Sequence, residues 1–131
     1  MAASSAAAGA RAEMAIYEVE SWFPLQSKEE EHDAAMKDFL EWVNAHRSLF
    51  KEWKSLRYFI REIAGPNSGR HFIVWEYEDL ASFESYKKRR QDYSGPYAEY
   101  KKHDPYHLGV MDHRNMELEI WYEDHRSLWL T

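Results

Sequence analysis

Two residue periods organise this chain. From Ala15 to Phe23 ("AIYEVESWF") residues alternate, with Tyr17, Val19 and Phe23 on one side and Glu18, Glu20 and Trp22 on the other. That period of two predicts a strand, ended by Pro24. Ser27 followed by Glu30 has the spacing of a capping box and predicts a helix start. Met36, Phe39, Leu40, Val43 and Phe50 then recur three and four apart, one buried stripe of a helix that should end near Trp53. "SLRYFIREIAG" reads as a second strand and "RHFIVWEYE" as a third. The turn cluster Gly65-Pro66-Asn67-Ser68-Gly69 joins them as a hairpin. Asp79 has the position of an N-cap for a second helix carrying Phe83 and Tyr86. Ser94-Gly95-Pro96 breaks that helix, a short helical turn follows from Tyr97, and "HDPYHLGVMDHRN" is an irregular connection. Met116 to Glu123 alternates again as a fourth strand, and the tail "DHRSLWLT" is too apolar to float freely.

The order β–α–β–β–α–β is the split ferredoxin-like unit, an α+β fold. Right-handed crossovers place both helices on one face of a four-stranded antiparallel sheet. Parity then divides the strand residues. Tyr17, Val19, Tyr58, Ile60, Phe72, Val74, Leu118 and Ile120 form the set expected under the helices. The opposite set is Glu18, Glu20 and Trp22; Arg57, Phe59, Arg61 and Ile63; His71, Ile73, Trp75 and Tyr77; and Glu117, Glu119 and Trp121. That second set is too aromatic for a monomer surface and too charged for an ordinary core. A homodimer with two sheets closed face to face answers both.

Composition narrows the chemistry. With 131 residues the chain has length for one core without staples. The absence of cysteine excludes disulfides, thiolate catalysis and zinc–thiolate sites, and agrees with a cytoplasmic location. A net charge of -6 argues against a general nucleic-acid binder, and no apolar run reaches the length of a membrane span. Aromatic residues at 16% exceed what so small a core needs, so some are expected at an interface or cavity. Residues 1–13 ("MAASSAAAGARAE") lack the apolar stretch of a secretory signal and read as a disordered extension before a domain spanning 14–131. No phosphate-binding glycine loop and no nucleophile motif is present.

The segment "WEYEDLASFESY" resembles the middle of dimeric α+β barrel proteins, and more narrowly their antibiotic-biosynthesis-monooxygenase-like and NIPSNAP-like members. The resemblance implies a dimeric α+β barrel binding a small, aromatic or apolar organic molecule inside. It implies either cofactor-free monooxygenase-like or isomerase-like chemistry, or a non-catalytic binding or assembly dimer. In heme-degrading relatives a tryptophan closes strand three, where Tyr77 stands here, and a histidine lies late in helix two, a role open to His103 or His107. Those relatives also carry a strand-one asparagine; this chain has only Glu18 and Glu20 there, and no cofactor is assigned.

Glu18, Glu20, Glu117 and Glu119 sit on strands that neighbour each other in this topology. Crowded carboxylates raise one another's pKa, so Glu18 or Glu119 could serve as a general base, or all could pair with Arg57 and Arg61 as structure. Glu20, Trp22, Arg57, Arg61, His71, Trp75, Tyr77 and Trp121 are the candidate substrate-binding set, Trp75, Tyr77 and Trp121 as stacking surfaces. His103 and His107 lie four apart, but Pro105 interrupts the helix that would align them, and no metal is assigned. His32, His46 and His125 read as surface or satisfied residues. Lys87 to Arg90 reads as a solvated face.

Overall fold

The computed structural model describes residues 14–131, and the expectation for residues 1–13 lies outside them. Four strands, β1 (Ile16–Trp22), β2 (Trp53–Ile60), β3 (His71–Tyr77) and β4 (Glu117–Tyr122), form one sheet in the order β2-β3-β1-β4. All pairings are antiparallel. Helix α1 (Glu29–Ala45) follows β1; α2 (Leu80–Arg89) and α3 (Tyr97–His103) follow β3. This is the predicted βαββαβ order with the central pair β1 and β3.

Local chemistry sets most boundaries. Asp79 caps α2 by accepting a hydrogen bond from the Ser82 amide at 2.8 Å. The capping box at Ser27 does not form, because Ser27 takes a left-handed backbone (φ 69°) and places Lys28 at the cap instead. The Glu29 carboxylate turns back to accept from the Ser27 amide. Helix α1 stops at Ala45, well before Trp53; a 3₁₀ turn, Arg47–Phe50, lowers Phe50 into the core and releases Trp53 to open β2. At the other end of the sheet Arg70 is buried and ties three segments together. It donates to the Ser21 hydroxyl (2.9 Å) and to the Asn115 carbonyl (2.7 Å).

The sheet faces are opposite to the parity expectation on β1 and β3. Register pairs Glu18 with Trp75, Glu20 with Ile73 and Trp22 with His71, and these residues lie under the helices with Ile16 and Tyr77. Tyr17, Val19, Phe72 and Val74 occupy the open face instead. The assignments on β2 and β4 hold: Arg57 and Phe59 pair with Val74 and Phe72, and Glu119 pairs with Val19. The helices cover the strand residues of larger apolar volume (Trp22, Trp75, Tyr77, Ile16, Ile73), which removes the most hydrocarbon from water. The carboxylates that made this set look like a surface find cations on α2. Around them Met36, Phe39 and Val43 of α1 pack with Phe50, Tyr86, Tyr97 and Tyr100. The rings of Phe50 and Trp53 stack at 4.2 Å, and Tyr86 meets Trp53 edge-on at 5.2 Å.

The edge strand β4 is exposed along both faces: Leu118 is 62% exposed and Trp121 46%. The apolar tail does not cover it. Arg126 anchors a 3₁₀ turn to Glu76 at 3.0 Å and to the Tyr17 hydroxyl at 3.2 Å, while Leu128 and Leu130 stay exposed.

Candidate functional site

Strand β1 and helix α2 build a polar cluster inside the layer between sheet and helices. Phe83, Tyr86, Lys87 and Arg90 follow the i, i+3, i+4, i+7 spacing of one helical face, and that face looks down on Glu18 and Glu20. The Lys87 ammonium sits 2.7 Å from the buried Glu18 carboxylate. Arg90 packs over the rings of Tyr86 and Tyr93 and donates to the Tyr93 hydroxyl at 3.0 Å. The loop after α3 brings Asp104 to the same place.

Glu20 and Asp104 are the acids of the cluster. Burial, then the charges of Asp104 and Glu18, push the Glu20 carboxyl up to about 7, against the opposing pull of Lys87 and Arg90. Burial also raises Asp104, although its carboxylate accepts the Tyr106 amide at 3.0 Å. The two acids border a small cavity with Trp22, Met36, Phe39, Ile73, Trp75, Pro105 and Met111. Its free space of about 10 Å³ admits about one water. Three buried polar atoms around the cluster lack a partner among the described residues: Trp75 Nε1, the Tyr86 hydroxyl and Arg90 Nε. Native interiors satisfy nearly all such groups, so these three stand out in the cluster.

Six residues singled out in the sequence share the helix-covered face: Glu18, Glu20, Trp22, His71, Trp75 and Tyr77. Tyr77 is fully buried and accepts from Trp53 Nε1 at 3.1 Å. The others lie elsewhere. Glu119 and Trp121 share the exposed open face of β4, where the indole donates to the carboxylate at 2.8 Å. The four-carboxylate cluster therefore does not assemble, since Glu18 and Glu20 lie on one face and Glu117 and Glu119 on the other. Arg57 is exposed on β2, and Arg61 stacks on Phe72 at 4.6 Å, so neither pairs with those acids. His103 packs on the outside of α1, stacked on Trp42 and bonded to Asp38 at 2.7 Å. His107 lies nearer the cluster, 3.4 Å from the Tyr93 hydroxyl, and burial lowers its pKa.

Asp104, Lys87, Arg90, Tyr86 and Tyr93 join the site without having been singled out for it. The signal for Lys87 and Arg90 was the helical spacing from Phe83 and Tyr86; the run of four cations concealed it. Only Lys88 of that run behaves as a solvated residue, because Arg89 forks onto Glu52 and donates to the Tyr97 hydroxyl.

A second cluster joins buried His32 and His71 with exposed Asp33, their ligand-type atoms within 4.8 Å of one another. Hydrogen bonds already occupy most of these atoms. Trp22 Nε1 can only donate, so His32 Nε2 accepts it at 2.7 Å and Nδ1 carries the proton toward Asp33. His71 Nδ1 pairs with the Tyr58 hydroxyl. Burial lowers the His71 pKa to about 4 and lifts Tyr58 to about 12, so both are neutral at pH 7 and Tyr58 donates. His32, expected at the surface or satisfied, is fully buried and satisfied. A metal would have to displace these bonds.

No protein-family model matches the chain, and no curated protein matches it. Solved structures do. An uncharacterised NIPSNAP-like domain protein from Burkholderia xenovorans aligns over 91% of this chain and 93% of its own, with 17% identity and a TM-score of 0.60. A NIPSNAP family protein of unknown function from Agrobacterium tumefaciens aligns over 90% and 96%, at 14% identity and a TM-score of 0.55. A dimeric protein of unknown function and ferredoxin-like fold from Bacteroides fragilis aligns over 83% and 96%, at 10% identity and 0.56. The chain therefore has the ferredoxin-like α+β fold of these proteins, as the segment around Trp75 to Tyr86 led one to expect.

Proposed function

We propose that the protein is a cytoplasmic homodimer closed over the open face of its sheet. Each protomer takes a small, largely apolar organic molecule between sheet and helices, where Glu20 handles a proton. The site is carried by the half-buried Glu20 at the cavity wall, its carboxyl pushed up to about 7, beside the unpartnered Trp75 Nε1. A general acid–base group works best with its pKa near the working pH. Isomerase-like and cofactor-free monooxygenase-like chemistry both begin by drawing a proton from the substrate, the step Glu20 suits. Trp75 Nε1 and the Tyr86 hydroxyl would then donate to the charge left behind. Of the cavity walls only the connection Asp104 to Met111 is neither strand nor α-helix, so it is the wall a ligand displaces.

Two features support the dimer. On the open face the edge β4 leaves Trp121 46% exposed, which a partner would cover. The two sheet edges also carry opposite charge on the open face, Arg57 on β2 and Glu117 with Glu119 on β4. A face-to-face closure with its two-fold axis along the strands sets each β4 against its partner's β2. The protein from Bacteroides fragilis with this fold is described as dimeric.

The tight filling of the cavity favours a second reading, a non-catalytic binding or assembly dimer in which the Glu18–Lys87 pair and the buried acids serve the fold. Calorimetry with small phenols and quinones at pH 6 and pH 8 separates the two. Site chemistry at Glu20 predicts a ligand whose affinity changes between these pH values in the wild type and not in Glu20→Gln. Binding that ignores both pH and the substitution supports the second reading.

A further inference from the structure

A groove of about 710 Å³ runs between α1 and β2, within the range of small-molecule sites. Val43, Phe50 and Trp53 line it as apolar floor, while Arg47, Lys51, Lys54 and Arg57 line it as exposed cations. No carboxylate lines it. The nearest acid in sequence, Glu52, is held in a forked pair by Arg89 and cannot neutralise the rim. Among the described residues Arg47 hydrogen-bonds only to the Asn44 side chain, and Lys51 and Lys54 enter no ion pair. Four uncompensated cations around an apolar trough are unexpected in a chain of net charge -6.

We propose that this groove binds an amphipathic organic anion, its head on Arg47, Lys51 and Lys54 and its hydrocarbon body against Val43, Phe50 and Trp53. Exposed lysines offer point charges to either a carboxylate or a phosphate head, and an apolar body contributes by leaving water. The site is separate from Glu20, so it and the acid chemistry proposed there stand or fall independently.

Titration calorimetry of the full chain with decanoate, decyl phosphate and decanol tests it, with amide NMR shifts locating the ligand. Expected are sub-millimolar binding of at least one anion, shifts concentrated in residues 43–58, and binding of decanol weaker by roughly tenfold or more. Lys51→Glu with Lys54→Glu should weaken the anion by at least about tenfold and leave the melt unchanged. If that double variant misfolds, Lys51→Gln with Lys54→Gln should still lose affinity several-fold. The two heads distinguish a lipid-like carboxylate from a phosphate monoester. Decanol binding as tightly as the anions, affinity indifferent to the substitutions, shifts centred on β4, or no sub-millimolar binding would each overturn the assignment.

Discussion

Half-buried Glu20 and buried His71 are ionisable residues of the helix-covered face, and they oppose each other in pH dependence. Glu20 rises from 4.5 to about 7 on folding, so between those values only the native state keeps its proton. Stability therefore falls as pH rises through that window, by about 3 kcal/mol in all. His71 drops from 6.5 to about 4, so between those values only the unfolded state is protonated, and stability falls as pH is lowered. The windows overlap from 4.5 to 6.5, where the two slopes offset. Glu20→Gln removes one of them. We expect it to stabilise the protein at pH 8, with the gain shrinking toward zero by pH 4.5. Its melting temperature should drop on acidification below 6.5 more steeply than that of the wild type. Urea melts across pH 4 to 8 check this; a constant difference between the two proteins would contradict it.

Helix α2 is the element on which the site and the fold both depend. Its inner face brings Lys87 and Arg90 to β1, and Arg89 latches it to the segment before β2 through Glu52, Tyr97 and the Leu49 carbonyl. Arg89→Ala leaves the largely buried Glu52 carboxylate unpaired and should cost about 2 kcal/mol, reduced from the fully buried case by the exposure of Arg89. Arg89→Lys should recover only part, since an ammonium cannot make the fork. An Arg89→Ala protein with an unchanged denaturation midpoint would remove the latch. The order of elements was legible from period and punctuation: Asp79 capped its helix where a cap residue stood, and Pro96 and Pro105 bounded α3. The end of α1 was not, because Phe50 and Trp53 continue a helical stripe that the chain uses in a 3₁₀ turn and a strand. Nor was the parity of β1 and β3. Alternation shows two faces without saying which one the helices take, and Glu18 and Glu20 marked the wrong one until Lys87 was found above them. Glu20, Trp75 and Trp22 were singled out in the sequence and border the cavity; Asp104 was not, because it reaches the cluster from an irregular loop.

At the scale of the whole molecule the proposed function divides the sheet, with acid chemistry under the helices and association on the open face. Reversing Arg57 to Glu should weaken the proposed dimer in analytical ultracentrifugation, as should reversing Glu119 to Arg. Combining both reversals should restore affinity toward wild type. Additive losses in the double variant would separate these edges. The central claim is that the helix-covered face holds the proton-handling acid. Carbon-13 NMR titration of the glutamate carboxyls tests it most directly. One carboxyl should titrate with a midpoint of about 7 and vanish in Glu20→Gln; glutamates that all titrate in the ordinary range below about 5 would contradict the claim.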